Sequence, residues 1–180
     1  IPIARFFLDR SSIRWGAQNV YPEEKGAFTG EISAPMLKDL GCSYVICGHS
    51  ERRQILGESD EFVARKVKAV LENDMIPILC VGETEEERKE GQTEERIGSE
   101  IRTALFALSK EETAKMVIAY EPIWAIGSGQ AATPKDAEEI ASFIRKTVKE
   151  AAGKKAADEV RILYGGSVNG DNISYFLKQK

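Results

Sequence analysis

Histidine occurs once in these 180 residues and cysteine three times, and that scarcity removes whole classes of chemistry. Cys42, Cys47 and Cys80 lack the paired spacing of a zinc site or a disulfide framework, and His49 is the sole histidine, so a Cys/His metal centre is not expected. Free thiols within apolar runs fit a reducing cytoplasm. No apolar run approaches the ~20 residues of a membrane span, and nothing resembles a signal peptide. Positive charge is not in excess either. The 25 Lys and Arg against 29 Asp and Glu leave a net charge of −4, which disfavours nucleic acid or an acidic membrane as the main partner. The basic residues are mixed with acids, the pattern of solvated helix faces. Asn172-Ile-Ser174 matches a glycosylation sequon without any secretory context. Low-complexity segments and linkers are also missing, which implies one domain over residues 1–180. The chain starts on isoleucine and stops within an amphipathic pattern at Tyr175–Lys180, as trimming or truncation at both ends would leave it.

What is present is a rhythm. With 42% hydrophobic residues there is enough apolar surface for a core. Five segments share one form, an apolar run ending in small or polar residues: 13–19, 44–50, 76–83, 116–122 and 160–167. Helical patterns lie between them. Thr133 reads as an N-cap followed by Pro134 and, three residues on, Asp136; apolar residues then recur at helical spacing until Gly153. A second such pattern runs from Ser59 through Leu71. Strand starts every 30 to 45 residues predict βα units and a parallel α/β sheet covered by helices. Such sheets carry chemistry at the carboxyl ends of their strands. The unusual residues fall there: Gln18 and Asn19, His49, Glu83, Glu121, and Gly165-Gly166-Ser167.

His49 precedes Ser50-Glu51-Arg52-Arg53, which reads as the opening turn of a short helix. The positive end of that helix would keep the imidazole neutral, fit to donate a hydrogen bond and pass a proton. The competing reading is a structural histidine satisfied by backbone. Glu121 ends a strand before Pro122, and a partly desolvated carboxylate makes a competent general base; the alternative is a buried glutamate paired with arginine. The residues that follow, Pro122, Ile123, Trp124, Ala125, Ile126, Gly127, Ser128 and Gly129, combine apolar cover with hinge glycines, as a lid would. Gly165-Gly166-Ser167 offers backbone N–H groups and a hydroxyl to a phosphate, although a double glycine is more often a plain turn. Glu83 is a second acid, and with Glu121 it would permit a two-carboxylate glycosidase. The charged helix start after Glu83 favours a structural purpose instead.

Together, C47-G-H-S-E-R-R53, Y120-E-P-I-W-A-I-G-S-G129 and Y164-G-G-S-V168 resemble the histidine loop, glutamate lid and phosphate loop of the triosephosphate isomerase family. G16-A-Q-N19, G26-A-F-T-G-E31 and C80-V-G-E83 match further segments in order and spacing, and the resemblance spans residues 13–180. It implies a (β/α)8-barrel ancestry and interconversion of dihydroxyacetone phosphate and glyceraldehyde 3-phosphate, in glycolysis and gluconeogenesis, with no cofactor and no metal. By that resemblance Glu121 is the base, His49 the neutral electrophile and Glu51 the acid next to the site. Gly127, Gly166 and Ser167 hold phosphate, and Tyr164 with Ser167 latches the lid. Thr29 is the loop residue that enters a partner subunit, which implies a homo-oligomer.

The family's first strand with its Asn-x-Lys pair, its second strand and its eighth strand with a glycine pair have no counterpart here. Five βα units are therefore expected, either as an incomplete barrel or rearranged into an open doubly wound sheet, with Ile3, Phe6, Phe7 and Leu8 covering an edge or the inner face. Activity of such a chain is expected to be strongly impaired. The competing expectation is a non-catalytic oligomerising fragment or scaffold with a relic active site.

Overall fold

A computed structural model describes residues 1–126 and 132–179. Five parallel strands form one sheet in the order β1-β2-β3-β4-β5: Gly16–Ala17, Tyr44–Cys47, Ile76–Val81, Val117–Tyr120 and Arg161–Tyr164. Strand order follows chain order. Successive parallel crossovers of one hand then place all covering helices on the same face. The doubly wound rearrangement does not occur; the strands keep the order of a barrel, and the barrel is open.

The covering layer is built from α4 (Asp60–Glu72), α6 (Thr93–Leu105) and α8 (Pro134–Ala152). Their starts are set locally. Ser59 accepts the Phe62 amide, and Thr133 and Asp136 form a reciprocal capping box ahead of Pro134, as the sequence predicts. Each helix turns one apolar stripe inward: Val63, Val67 and Val70 from α4, Ile97 and Ile101 from α6, Ile144 and Val148 from α8. They pack on Val45, Cys47, Leu79, Val81, Ile118 and Tyr120 of the sheet in one core.

Side chains alternate along a strand, so the neighbouring rows point away from that core. Ladder register puts Cys80, Ala119 and Leu163 in one such row and Ile46, Ile78 and Val117 in the next. Leu163, on the last strand, is 46% exposed. The sheet thus presents a largely apolar second face and, among the described residues, two unpaired edges, β1 and β5.

Smaller helices complete the chain: α1 (Pro2–Leu8), α2 (Ala34–Asp39), α3 (Ser50–Gln54), α5 (Glu85–Lys89), α7 (Lys110–Lys115), α9 (Lys154–Glu159) and α10 (Ile173–Phe176). The expectation that the N-terminal segment covers an edge or the inner face is not met. It forms α1, tied to α2 by the Arg5 guanidinium donating to Asp39 O, and Ile3, Phe6 and Phe7 remain exposed. The first expected strand, 13–19, shortens to Gly16–Ala17 because its ladder partner β2 is engaged only at Tyr44 and Val45.

Candidate active site

The carboxyl ends of β2, β4 and β5 bring the expected residues together. His49 leaves β2 as the N-cap of α3 and its Nδ1 accepts the backbone N–H of Glu51 at 3.3 Å. A ring nitrogen that accepts a hydrogen bond carries no proton, so this contact assigns the proton to Nε2. Nε2 faces Glu121 Oε1 at 3.5 Å, and the second carboxylate oxygen of Glu121 accepts the Ser50 amide at 3.3 Å. Glu121 is 8% exposed. A neutral donor and a carboxylate acceptor are thereby aimed at one place, each held by an amide of the same short helix.

Gly165 closes a third side. Its amide donates to Tyr120 O at 2.7 Å, and a Cβ there would come within 3.2 Å of Glu121 Cγ. The 165–167 loop therefore begins against the base. Gly166 is half-buried beneath the Tyr164 hydroxyl, which a Cβ would overlap, and Ser167 is exposed with its carbonyl held by the Asn172 side-chain amide at 2.8 Å. The Tyr164 hydroxyl is buried without a hydrogen-bond partner among the described residues, and burial raises its pKa. Gly127, Ser128 and Gly129 of the expected lid lie outside the described residues. Its first part is a single helical turn, Ile123–Ala125, with Ile126 exposed beyond it.

Other expected residues have different employment. The Glu51 side chain points to solvent, its carboxylate 3.8 Å from His49 Nδ1, so its amide is the group that touches the pair. Glu83 is fully buried and its Oε1 accepts from Trp124 Nε1 at 2.8 Å, from the Tyr120 hydroxyl at 3.1 Å and from Arg88 at 3.3 Å. Arg88 also lies over the Trp124 ring at 4.3 Å. Glu83 anchors the start of the lid segment and is not a free acid, which removes the two-carboxylate reading. Asn19 accepts from the buried Lys66 ammonium at 2.7 Å, and Gln18 is exposed; neither joins His49 and Glu121. Thr29 lies on an exposed loop between Gly26 and Gly30, both at positive φ.

Two contributors escape sequence reasoning. Cys80 neighbours the base, and burial, then the adjacent Glu121 carboxylate, holds its thiol firmly protonated. The only signal for it is strand parity, since it shares a row with Ala119 and Leu163. The Ser50 amide leaves no signal in a side-chain pattern.

A family model described as triosephosphate isomerase matches residues 3–180. The chain is 51% identical over 175 residues to the triosephosphate isomerase of Roseiflexus sp. (strain RS-1), covering 97% of this chain and 69% of that protein. It is 50% identical to that of Dictyoglomus turgidum, covering 98% of this chain and 71% of the other, and 53% identical to that of Chloroflexus aurantiacus over 94% and 68%. The match in sequence runs through every element that positions His49 and Glu121, and the chain belongs to the triosephosphate isomerase family.

Proposed function

We propose that this chain carries the proton-transfer machinery for interconverting dihydroxyacetone phosphate and glyceraldehyde 3-phosphate, as its relatives' name describes. The observation that carries the reading is the pair itself: Nε2 of His49 set 3.5 Å from Oε1 of Glu121 while Nδ1 accepts an amide. Glu121 takes the proton from the carbon next to the carbonyl, and His49 Nε2–H donates to the oxygen that becomes the enediolate. The proton returns from Glu121 to the neighbouring carbon, while the hydroxyl proton passes to the former carbonyl oxygen by way of His49 Nε2, which gives its proton to one oxygen and takes one from the other. Hydrogen moves within one molecule, so the reaction balances with no redox partner and no cofactor. Gly166 and Ser167, with Gly127 of the lid, supply the phosphate contacts, and the Tyr164 hydroxyl and Ser167 are the latch of the closed lid. The family's Asn-x-Lys pair, whose lysine supplies counter-charge to the substrate, has no counterpart in these 180 residues, and turnover by them alone is expected to be strongly impaired.

A coupled assay on these 180 residues is the test. Slow conversion of dihydroxyacetone phosphate is expected, and Glu121→Asp, which withdraws the carboxylate by one methylene, is expected to lower it about tenfold or more. Equal rates in parent and variant would remove Glu121 as the base.

A second reading is favoured by the open sheet: a non-catalytic oligomer in which the site is a relic. Half-exposed Leu163 and the free β5 edge are surfaces that associate. Light scattering is expected to show a homo-oligomer, with the loop around Thr29 as one contact. An oligomer that fails to bind 2-phosphoglycolate would favour the relic reading over the enzyme, and a monomer at all concentrations would discard association altogether.

A further inference from the structure

The described residues hold a buried charge cluster just beneath the His49–Glu121 pair that the proton-transfer chemistry does not use. Glu100, on α6, is 1% exposed. Its Oε2 accepts the Gly82 amide at 2.9 Å, and its Oε1 lies 2.8 Å from the Arg96 guanidinium and 3.6 Å from Arg53 Nε. The two contacts lead to opposite sides of the pair. Gly82 packs on the backbone of Glu121 so closely that a Cβ would overlap the Glu121 carbonyl oxygen. Arg53 donates from Nε to Gly48 O at 2.8 Å, the carbonyl just before His49, and from its terminal nitrogen to Cys80 O at 3.3 Å. A single carboxylate therefore grips both backbone segments from which the base and the imidazole project.

We infer that Glu100, acting through Gly82 and Arg53, is the positioning residue that sets the His49–Glu121 geometry, an inference that rests on the proton-transfer reading above. Two strand ends carry the pair, and β2 and β4 are not neighbours in the sheet. Something must fix the distance across β3, and Glu100 bridges from the β3 exit to α3. A helix-borne, fully packed carboxylate is stiff enough to do so, and displacements of about 1 Å in such pairs cost about a hundredfold in rate.

The clamp works in its ionised form. Groups of both signs face Glu100: Arg53 from α3, Asp60 from α4, and Arg96 on its own helix, which in turn meets Asp60 and Glu87 of α5. Burial outweighs the two guanidiniums and the Gly82 amide and pushes Glu100 up to about 7. Protonation near neutral pH thus loosens the hold on Arg53 and Gly82.

Glu100→Gln tests this, since glutamine still accepts the Gly82 amide but cannot ionise. Because His49 is the sole histidine, the 15N spectrum of labelled histidine reads this one ring without any turnover. The parent at pH 8 is expected to show a single Nε2–H tautomer, and the variant a mixture of tautomers at the same pH. In the isomerase assay the variant should lose about tenfold in kcat at pH 8 with KM unchanged, and approach the parent at pH 6. Arg53→Lys, which keeps the charge but loses the fork to Gly48, should reproduce the tautomer mixture. An unchanged His49 spectrum in both folded variants would overturn the positioning role. Absence of turnover in the parent, with the tautomer shift intact, would overturn the isomerase reading and leave the clamp standing.

Discussion

Glu121→Gln is expected to lower isomerisation about a thousandfold, the scale on which a positioned general base acts. The variant keeps the size and reach of the side chain, so the loss isolates the carboxylate's basicity from its packing. It also has a predictable effect on the fold. Glu121 accepts the Ser50 amide on Oε2 at 3.3 Å, and its Oε1 lies 3.5 Å from His49 Nε2. Glutamine has a single carbonyl oxygen, so it cannot present an acceptor to both the Ser50 amide and His49 Nε2, and stability falls by about 1 kcal/mol. Coupled-assay rates and urea unfolding of the same preparation check both halves. A variant with parent-like rates would remove the base; a large loss of stability would mean that the charge holds the site together.

Much of this site can be read in the sequence because its members punctuate a strongly periodic chain. The apolar runs ending at His49 and Glu121 mark two strand ends, and residue type alone names a donor and a base there. Thr133, Pro134 and Asp136 fix the start of α8 by local capping chemistry that needs no tertiary context. What sequence could not assign is employment. Asn19, Glu83 and Glu121 all occupy strand ends as polar residues, yet Asn19 belongs to Lys66 and Glu83 to Trp124, Tyr120 and Arg88. Apart from Arg88, these partners lie 37 to 47 positions away in the chain, and only packing decides which acid is left facing the histidine. Glu100 was invisible for the same reason. It reads as one more acid on a charged amphipathic helix, and its burial follows from where Arg53 and Gly82 arrive.

Gly82→Ala is the second change with a large expected effect, and it follows from space alone. Gly82 is not among the glycines at positive φ, so its backbone conformation would accept alanine. The added methyl would nevertheless overlap the Glu121 carbonyl oxygen, a backbone atom with little freedom to move. Glu121 N donates to Val81 O at 2.8 Å, one residue before Gly82, so the strands cannot part there without giving up a ladder bond. Overpacking against backbone costs about 3 kcal/mol, at the upper end for an inserted methylene. Relief by shifting the Glu121 backbone would carry the carboxylate off line by about 1 Å, for a rate loss of about a hundredfold. Urea unfolding should therefore show a midpoint lower by about 1–2 M, and the surviving folded fraction should isomerise poorly. Gly170→Ala supplies the control, since nothing lies within 4 Å of a Cβ at that position, and it should match the parent in both measurements. Parent-like stability and rate in Gly82→Ala would show that the β3 exit and the base are free to separate. In that case the close approach of these two backbones could not be what sets the position of Glu121.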